Sequence, residues 1–445
     1  MTLPSALRTW AAPALYAALL VFGFALRGSD LPVWSLLISA LWALFATAIW
    51  LLPQQKADER LAQPALGLLA LTFVALCGVL TLEPLFASPS TFDLSAFVTA
   101  FLKLLGLGCA FMAGLRLCSD NDGARRVIDA VLVGGAVWAG LAILMQVVDP
   151  YTIYGTAKVG SPGRLTGAFT SPNSAATLFG SLAVLAWGRT LSRYINSDRY
   201  EFFERVDPLY VGEFAVCMTA LIMSLSRAGW LATGAALMGL TLIMFRKRIS
   251  VPLFAGGLVA VAVAVGLAMT LSSFTMLDRL GKLQSDIDTR QALFSAHAAA
   301  GMKHPLMGWG FGSFITVNNS VVTPETYPAL WPVRAAHNVY LQWFEETGVA
   351  GLSALVVLNL AVLGTVLGGA IKKKRMGDRL WAMLFAYLVF LIHGLTDYAF
   401  QETSLSLYAA VLLGAAFAMA TRSERGTQPE ARVRMGSSSR GRRAA

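Results

Sequence analysis

The sequence predicts an all-α, polytopic membrane protein with about twelve transmembrane helices and one sizeable helical loop on its outer face. Three observations predict this class. Of the 445 residues, 56% are hydrophobic and only 13% charged, with mean hydropathy +0.62. A soluble domain carries roughly 45–50% apolar and about 25% charged residues. Apolar runs long enough to span as helices recur along the chain, and most of the 35 Lys and Arg fall in the loops and termini on one side of them.

In order, the runs are 9–26, 34–52, 63–82, 95–115, 127–147, 173–190, 209–225, 228–245, 251–271, 339–370 (one long or broken helix), 379–396 and 404–421. Residues 1–272 thus hold the first nine spans and 337–421 the last three. Residues 273–336 form the one substantial outer segment, and 422–445 a Ser/Arg/Gly-rich tail whose composition favours disorder.

Short loops rich in Lys and Arg stay cytoplasmic. Here they contain Lys56 and Arg60; Arg116, Arg125 and Arg126; Arg189, Arg193, Arg199 and Arg205; Arg246-Lys247-Arg248; and Lys372-Lys373-Lys374-Arg375 with Arg379. Both termini are therefore expected inside. The net charge of +10 reflects topology, and no nucleic-acid partner is expected. Cys77, Cys109, Cys118 and Cys217 sit in or beside spans, so neither a disulfide framework nor a Cys-based metal site is expected. The first apolar run lacks a small-residue cleavage site and reads as a span, not a signal peptide. No internal repeat is evident, which counts against the inverted-repeat transporter folds.

All four histidines, His297, His304, His337 and His393, fall on the outer side. Phe274, Leu277, Leu280 and Leu283 recur at helical spacing and suit a helix lying on the membrane surface. A second helix is expected from Ser285 to Pro305, with Arg290, His297 and His304 along one face. Asp286-Ile287-Asp288 has the form of the Asp-x-Asp metal motif of many glycosyltransferases. Ser285-x-x-Asp288 is also a capping-box pattern, which is the preferred reading, so neither a metal nor another cofactor is expected. Gly308-Trp309-Gly310-Phe311-Gly312 has no preceding strand and reads as a tight loop under the site, not a dinucleotide fingerprint.

Arg227 joins two apolar runs with almost no loop between them. An arginine that close to hydrocarbon is a functional candidate, and the ordinary alternative is a side chain snorkelling to lipid headgroups. Arg164 and Arg290 lie in outer connections, where exposed arginines are common. If these guanidinium forks converge, they match the oxygens of a diphosphate and stabilise the charge it develops on leaving. His337 precedes Leu341, Phe344, Gly348 and Leu352 at helical spacing, at the start of a helix entering the membrane. It is a candidate general base, which must act as neutral imidazole; the plainer alternative is a histidine that satisfies a helix end. His393 and Asp397, one turn apart, have no evident third zinc ligand and suit a supporting hydrogen-bond role.

Four strings together resemble the O-antigen ligase family, which shares a wider superfamily with O-antigen polymerases and some oligosaccharyltransferases. They are Arg164-Leu-Thr-Gly167-Ala-Phe169 with Pro172-Asn173; Ser224-Leu-Ser226-Arg227-Ala-Gly229-Trp230; Arg290 leading to His304-Pro305-Leu-Met-Gly308-Trp-Gly310-Phe-Gly312-Ser-Phe314; and His337-Asn338-Val-Tyr340-Leu341 with Glu345 or Glu346, Gly348 and Gly351. Where the family often has Asn-Pro-Asn, this chain has Ser171-Pro172-Asn173.

The resemblance implies a GT-C-like membrane transferase at the periplasmic face of a Gram-negative inner membrane. Its donor would be O-antigen polysaccharide on undecaprenyl diphosphate and its acceptor a sugar hydroxyl of lipid A–core oligosaccharide, with membrane lipid around both. The expected catalytic residues are His337, Arg290 and Arg227. Arg164, Asn338, Tyr340, His304 and Arg334 are expected to bind substrate. The reaction would invert configuration without a metal. A polymerase or related oligosaccharyltransferase would use the same donor chemistry. A secondary transporter would place ionisable groups near the midplane, where only Lys103 looks buried.

Overall fold

Every predicted apolar run within the described residues folds as a helix. The computed structural model describes residues 5–29, 31–52, 63–86, 92–197, 206–246, 283–331, 333–373 and 376–422. Among them, the first eight α-helices are α1 (Ser5–Ala25), α2 (Pro32–Leu51), α3 (Gln63–Phe86), α4 (Leu94–Leu117), α5 (Asn121–Val148), α6 (Pro172–Asn196), α7 (Pro208–Met223) and α8 (Arg227–Phe245). The outer segment contributes α9 (Leu283–Gly301), α10 (Phe314–Val321) and α11 (Tyr327–Leu330), followed by α12 (Val339–Lys372), α13 (Gly377–His393) and α14 (Thr403–Thr421). A short antiparallel hairpin, β1 (Thr152–Ile153) with β2 (Thr156–Ala157), decorates the connection between α5 and α6.

The helix starts follow capping chemistry. Asp93, Asp120, Ser171, Asp207, Ser226 and Asn338 each accept a backbone N–H of the first turn with a side-chain oxygen. Pro172 and Pro208 sit in their first turns, where the missing N–H costs nothing. At the centre, α6 is buried along most of its length and packs on α5, α7, α8 and α13. Around it, α1 packs on α5, α2 on α4, α4 on α14, and α3 on α12.

Seven of the described helices (α2, α3, α4, α5, α8, α12 and α14) are long and apolar enough to cross a membrane, and α1 and α7 hold shorter apolar stretches. This is a multi-pass, all-α membrane architecture. The expected ninth span at 251–271, the surface helix through Leu280 and the tail from 423 onward lie outside the described residues.

Of the two readings of the run 339–370, one long helix or a broken one, the structure has the broken one, and its break organises the outer segment. Within α12, Gly348 takes φ 61° and ψ −167°, which interrupts the helical ladder. The groups freed there are paired by the strand of chain just after α9. Trp309 and Gly310 donate their N–H to the carbonyls of Glu345 and Glu346 at 3.0 and 2.8 Å, while Val349 and Ala350 donate to Pro305 and Leu306 at 2.8 and 3.1 Å. So close is this approach that a Cβ on Gly308 would lie 2.3 Å from the Glu346 carbonyl, and one on Gly348 the same distance from that of Leu306. Both glycines have positive φ, so any side chain would also strain the backbone. The string Pro305 to Gly312 is thus the patch over a helix break.

Three expectations need correction. The second outer helix is already helical at Leu283, so Ser285 lies inside it and is not its cap. It ends at Gly301, which leaves His304 in the following turn and off the face shared by Arg290 and His297. Burial of ionisable groups also differs from the expectation, since Lys103 is only half-buried whereas Glu83, Arg189, Glu213, Glu345, Glu346 and Asp397 are all buried. Pairing is what the sequence pattern could not reveal: Arg189, for example, meets Asp129 at 2.9 Å and the Tyr210 hydroxyl at 2.6 Å.

Candidate active site

The ends of α5, α7 and α13 and the starts of α6, α8, α12 and α14 meet at one end of the bundle, and the sequence motifs gather there. The turn between α7 and α8 is built residue by residue. Ser224 bonds back to the Leu221 carbonyl at 2.6 Å, Leu225 takes a left-handed φ of 53°, and Ser226 caps α8 through the Gly229 N–H. Gly229 lets α8 approach α6, because a Cβ there would lie 2.6 Å from that of Ala176. Trp230 closes the unit by donating its indole N–H to the Leu221 carbonyl at 2.9 Å. The result presents Arg227, half-buried, in the first turn of α8.

Arg164 braces this turn. Its Nε donates to the Ser224 carbonyl at 2.9 Å and one terminal nitrogen to the Leu225 carbonyl at 3.2 Å, while Leu165 N–H donates to Met223 at 3.0 Å. The same guanidinium reaches Asn173 Oδ1 at 3.4 Å. These bonds make Arg164 a shaper of the loop that presents Arg227. Ser171 caps α6 as the family's more frequent asparagine would, since both residue types are strong caps.

His337 faces this platform from the start of α12. Its backbone has φ 52°, a left-handed conformation that side chains other than glycine adopt at a cost. Its Nδ1 lies 3.6 Å from Oδ1 of Asp397, just beyond hydrogen-bond length, with 29% of the His337 side chain exposed and none of Asp397. The Tyr398 ring stands edge-on to the imidazole, centroids 4.7 Å apart. Asn173 Nδ2 donates to the same carboxylate at 3.5 Å. Burial alone would raise the Asp397 carboxyl. The His337 side chain, then the charges of His393 and His337 and the Tyr398 amide, outweigh burial and hold it below the ordinary carboxylate range. His393 is buried and shares a 2.7 Å hydrogen bond between Nδ1 and Thr177 Oγ1. Three buried polar atoms here, His337 Nδ1, Asp397 Oδ2 and His393 Nε2, have no hydrogen-bond partner. Such groups call for an explanation, and a substrate group or water that completes them is the simplest.

The structure sorts the other predicted residues. Arg290 is half-buried on α9, the helix that also carries His297. Asn338 Oδ1 caps α12 through the Leu341 N–H at 3.0 Å, and the Tyr340 hydroxyl donates to the Leu391 carbonyl at 3.1 Å. Both side chains therefore hold the scaffold. His304 packs edge-on against Trp309, centroids 4.2 Å apart, beneath the glycine loop. Arg334 is exposed on the segment leading into His337. Of the two candidate glutamates, Glu345 pairs with His297 and Glu346 accepts the Gly312 N–H at 3.0 Å, so both are engaged inside the fold.

Residues 214–356 match a family model described as O-antigen ligase. The chain carries an O-antigen ligase domain. The domain contains Arg227, Arg290 and His337, whereas Arg164, Asn173 and Asp397 lie outside it and complete the cluster through the fold. Members of the O-antigen ligase family are glycosyltransferase-like enzymes. No curated protein matches the chain.

Asp397, Asn173 and Thr177 carry no catalytic role in the sequence reading. Sequence spacing does join His393 to Asp397, but it gives no sign that His337 completes the group. That link crosses from α12 to the loop after α13, anchored where Val339 N–H donates to the Gly394 carbonyl at 2.9 Å.

Proposed function

We propose that the protein transfers polysaccharide from undecaprenyl diphosphate to a sugar hydroxyl of lipid A–core oligosaccharide, at the periplasmic face of a Gram-negative inner membrane. The observation that supports this most strongly is the His337–Asp397 pair, held under strain at the end of the bundle that also presents Arg227. With Nδ1 of His337 turned to Asp397, Nε2 is the nitrogen left to accept a proton. The acceptor oxygen attacks the anomeric carbon as its proton passes to Nε2. The bond from that carbon to the diphosphate oxygen breaks, and the diphosphate leaves with the electron pair. Attack opposite the leaving group inverts configuration.

Arg227 and Arg290 supply the positive charge that the departing diphosphate needs, preorganised in a site of low dielectric. Asp397 orients the imidazole and stabilises the imidazolium that forms. Arg164 acts through the turn that carries Arg227. Positive-inside loops support cytoplasmic termini, and a twelve-span, GT-C-like architecture fits the apolar runs.

The test separates ligase from polymerase and transporter. In a cell with intact polymerase and flippase, His337→Ala should strand full-length polymer on undecaprenyl diphosphate and leave lipid A–core bare. Cores capped with a single repeat unit would make the protein a polymerase. Normal attachment would overturn both transferase readings. Purified protein should transfer polymer without ATP and in the presence of EDTA; activity lost to EDTA and restored by Mg²⁺ would assign a metal to the site.

A further inference from the structure

The short helix α11 carries a feature that the transfer chemistry does not use. Tyr327 and Trp331, one helical turn apart, stack face to face with ring centroids 5.2 Å apart and planes 14° from parallel. Both are exposed, at 47% and 59%, on the same face of α11. The opposite face is fixed. Leu330 is fully buried, and Asn318 Nδ2 donates to the carbonyls of Leu330 and Val333 at 3.0 and 3.4 Å. Asn318 Oδ1 in turn accepts from His297 Nε2 at 3.1 Å, so the platform is tied to α9 and through it to α12. A rigid pair of aromatic faces on a polar, outward segment is preorganised for a flat, partly apolar ligand.

We propose that Tyr327 and Trp331 form a stacking platform for a pyranose ring of the acceptor oligosaccharide. The carbon–hydrogen face of a pyranose is apolar and its rim is polar, which suits an exposed aromatic face in water. This inference rests on the transferase reading. The placement favours the acceptor over the donor. The platform and His337 share one chain segment, six residues apart, so the two α-carbons lie within about 20 Å. A short oligosaccharide covers that span. Arg227 of the diphosphate clamp sits instead at the start of α8. Between platform and base in the chain stands the exposed Arg334, whose guanidinium can donate to the polar rim of a sugar. The flanks mix polar Thr323, Glu325, Thr326 and Arg334 with apolar Val321, Val322 and Val333.

The full-length protein in nanodiscs is tested with delipidated core oligosaccharide by saturation-transfer NMR, and separately with delipidated polysaccharide. Transfer to core sugar protons is expected with wild type and should be lost in Trp331→Ala with Tyr327→Ala. Trp331→Phe, which keeps an aromatic face, should retain it. In turnover assays the double variant should raise KM for the acceptor about fivefold to tenfold with kcat within about twofold. Saturation of the polysaccharide alone would overturn the acceptor assignment. Unchanged sugar binding in the double variant, with weaker retention of the protein in alkali-washed membranes, would make the pair an interfacial anchor instead. Binding needs no turnover, so an inactive wild type that still binds core sugar through these rings would sink the transferase and leave the platform standing.

Discussion

Two histidine–carboxylate pairs lie at the same end of this bundle, and they differ in every respect that matters for chemistry. His297 and Glu345 are fully buried and meet at 2.8 Å; the other ring nitrogen bonds Asn318, and the ring stacks on Phe314 at 4.6 Å. Nothing is left over. His337 and Asp397 stand 3.6 Å apart, the histidine is partly exposed on a left-handed backbone, and an Asp397 oxygen has no partner. A saturated pair stabilises the fold, as this one joins α9 to α12. An unsaturated pair has capacity for a substrate. Residue type and membrane depth do not separate a structural histidine from a reactive one; the remaining hydrogen-bond capacity does.

The sharpest way to break the comparison is to remove each histidine. His337→Ala should reduce transfer by about 10²–10⁴-fold, the range for a lost general base, with a smaller loss of thermal stability in detergent than at His297, because Asp397 keeps Asn173 and the Tyr398 amide as partners. His297→Ala should do the reverse. It leaves a buried carboxylate alone, a loss of roughly 3–5 kcal/mol, and a thermal-shift assay should show a large drop in melting temperature. If His297→Ala kept full stability and lost turnover, the roles would be exchanged.

The arginines sharpen the open side of the contrast. Arg227→Lys or Arg290→Lys keeps the charge but loses the bidentate fork, and turnover should fall by about a hundredfold with insertion intact. Near wild-type rates in both would remove the clamp.

A smaller effect is expected at Asp397. Asp397→Asn should lower turnover about tenfold, since it orients the base and takes no part in bond making. A pH series gives an independent check. The carboxyl is depressed in the fold, so its stabilising contribution is full above the ordinary aspartate value of about 3.9 and is lost as pH falls through the lower folded value. The stability difference between wild type and Asp397→Asn should therefore shrink as the pH drops below about 4. A difference that stays constant across that window would deny Asp397 its charge partnership.

What was legible in the sequence divides along physical lines. Span positions follow from apolar runs, because burial in lipid is read directly from composition; even the break in α12 shows as a run too long for one helix. His337, Arg227 and Arg290 stand out because ionisable groups are rare in such a chain. What a side chain spends its hydrogen bonds on is tertiary information. Arg164 therefore looks like a clamp residue in sequence, and the structure shows it bracing the turn at Ser224 and Leu225. Asn338 and Tyr340 adjoin the base in sequence but turn to the scaffold. Asp397 is not assigned to His337 by the sequence because sixty positions and two whole helices, α12 and α13, separate them.

The left-handed backbone at His337 has a consequence for anyone who evolves this protein. Holding a residue with a side chain in that conformation costs on the order of 1–3 kcal/mol. A library screened for heat resistance alone would be drawn to His337→Gly, which relaxes the backbone, and to Asn, which tolerates it. Such winners would be robust and inert. Selection for robustness and selection for activity thus pull this one codon in opposite directions, and a stabilising programme must hold it fixed.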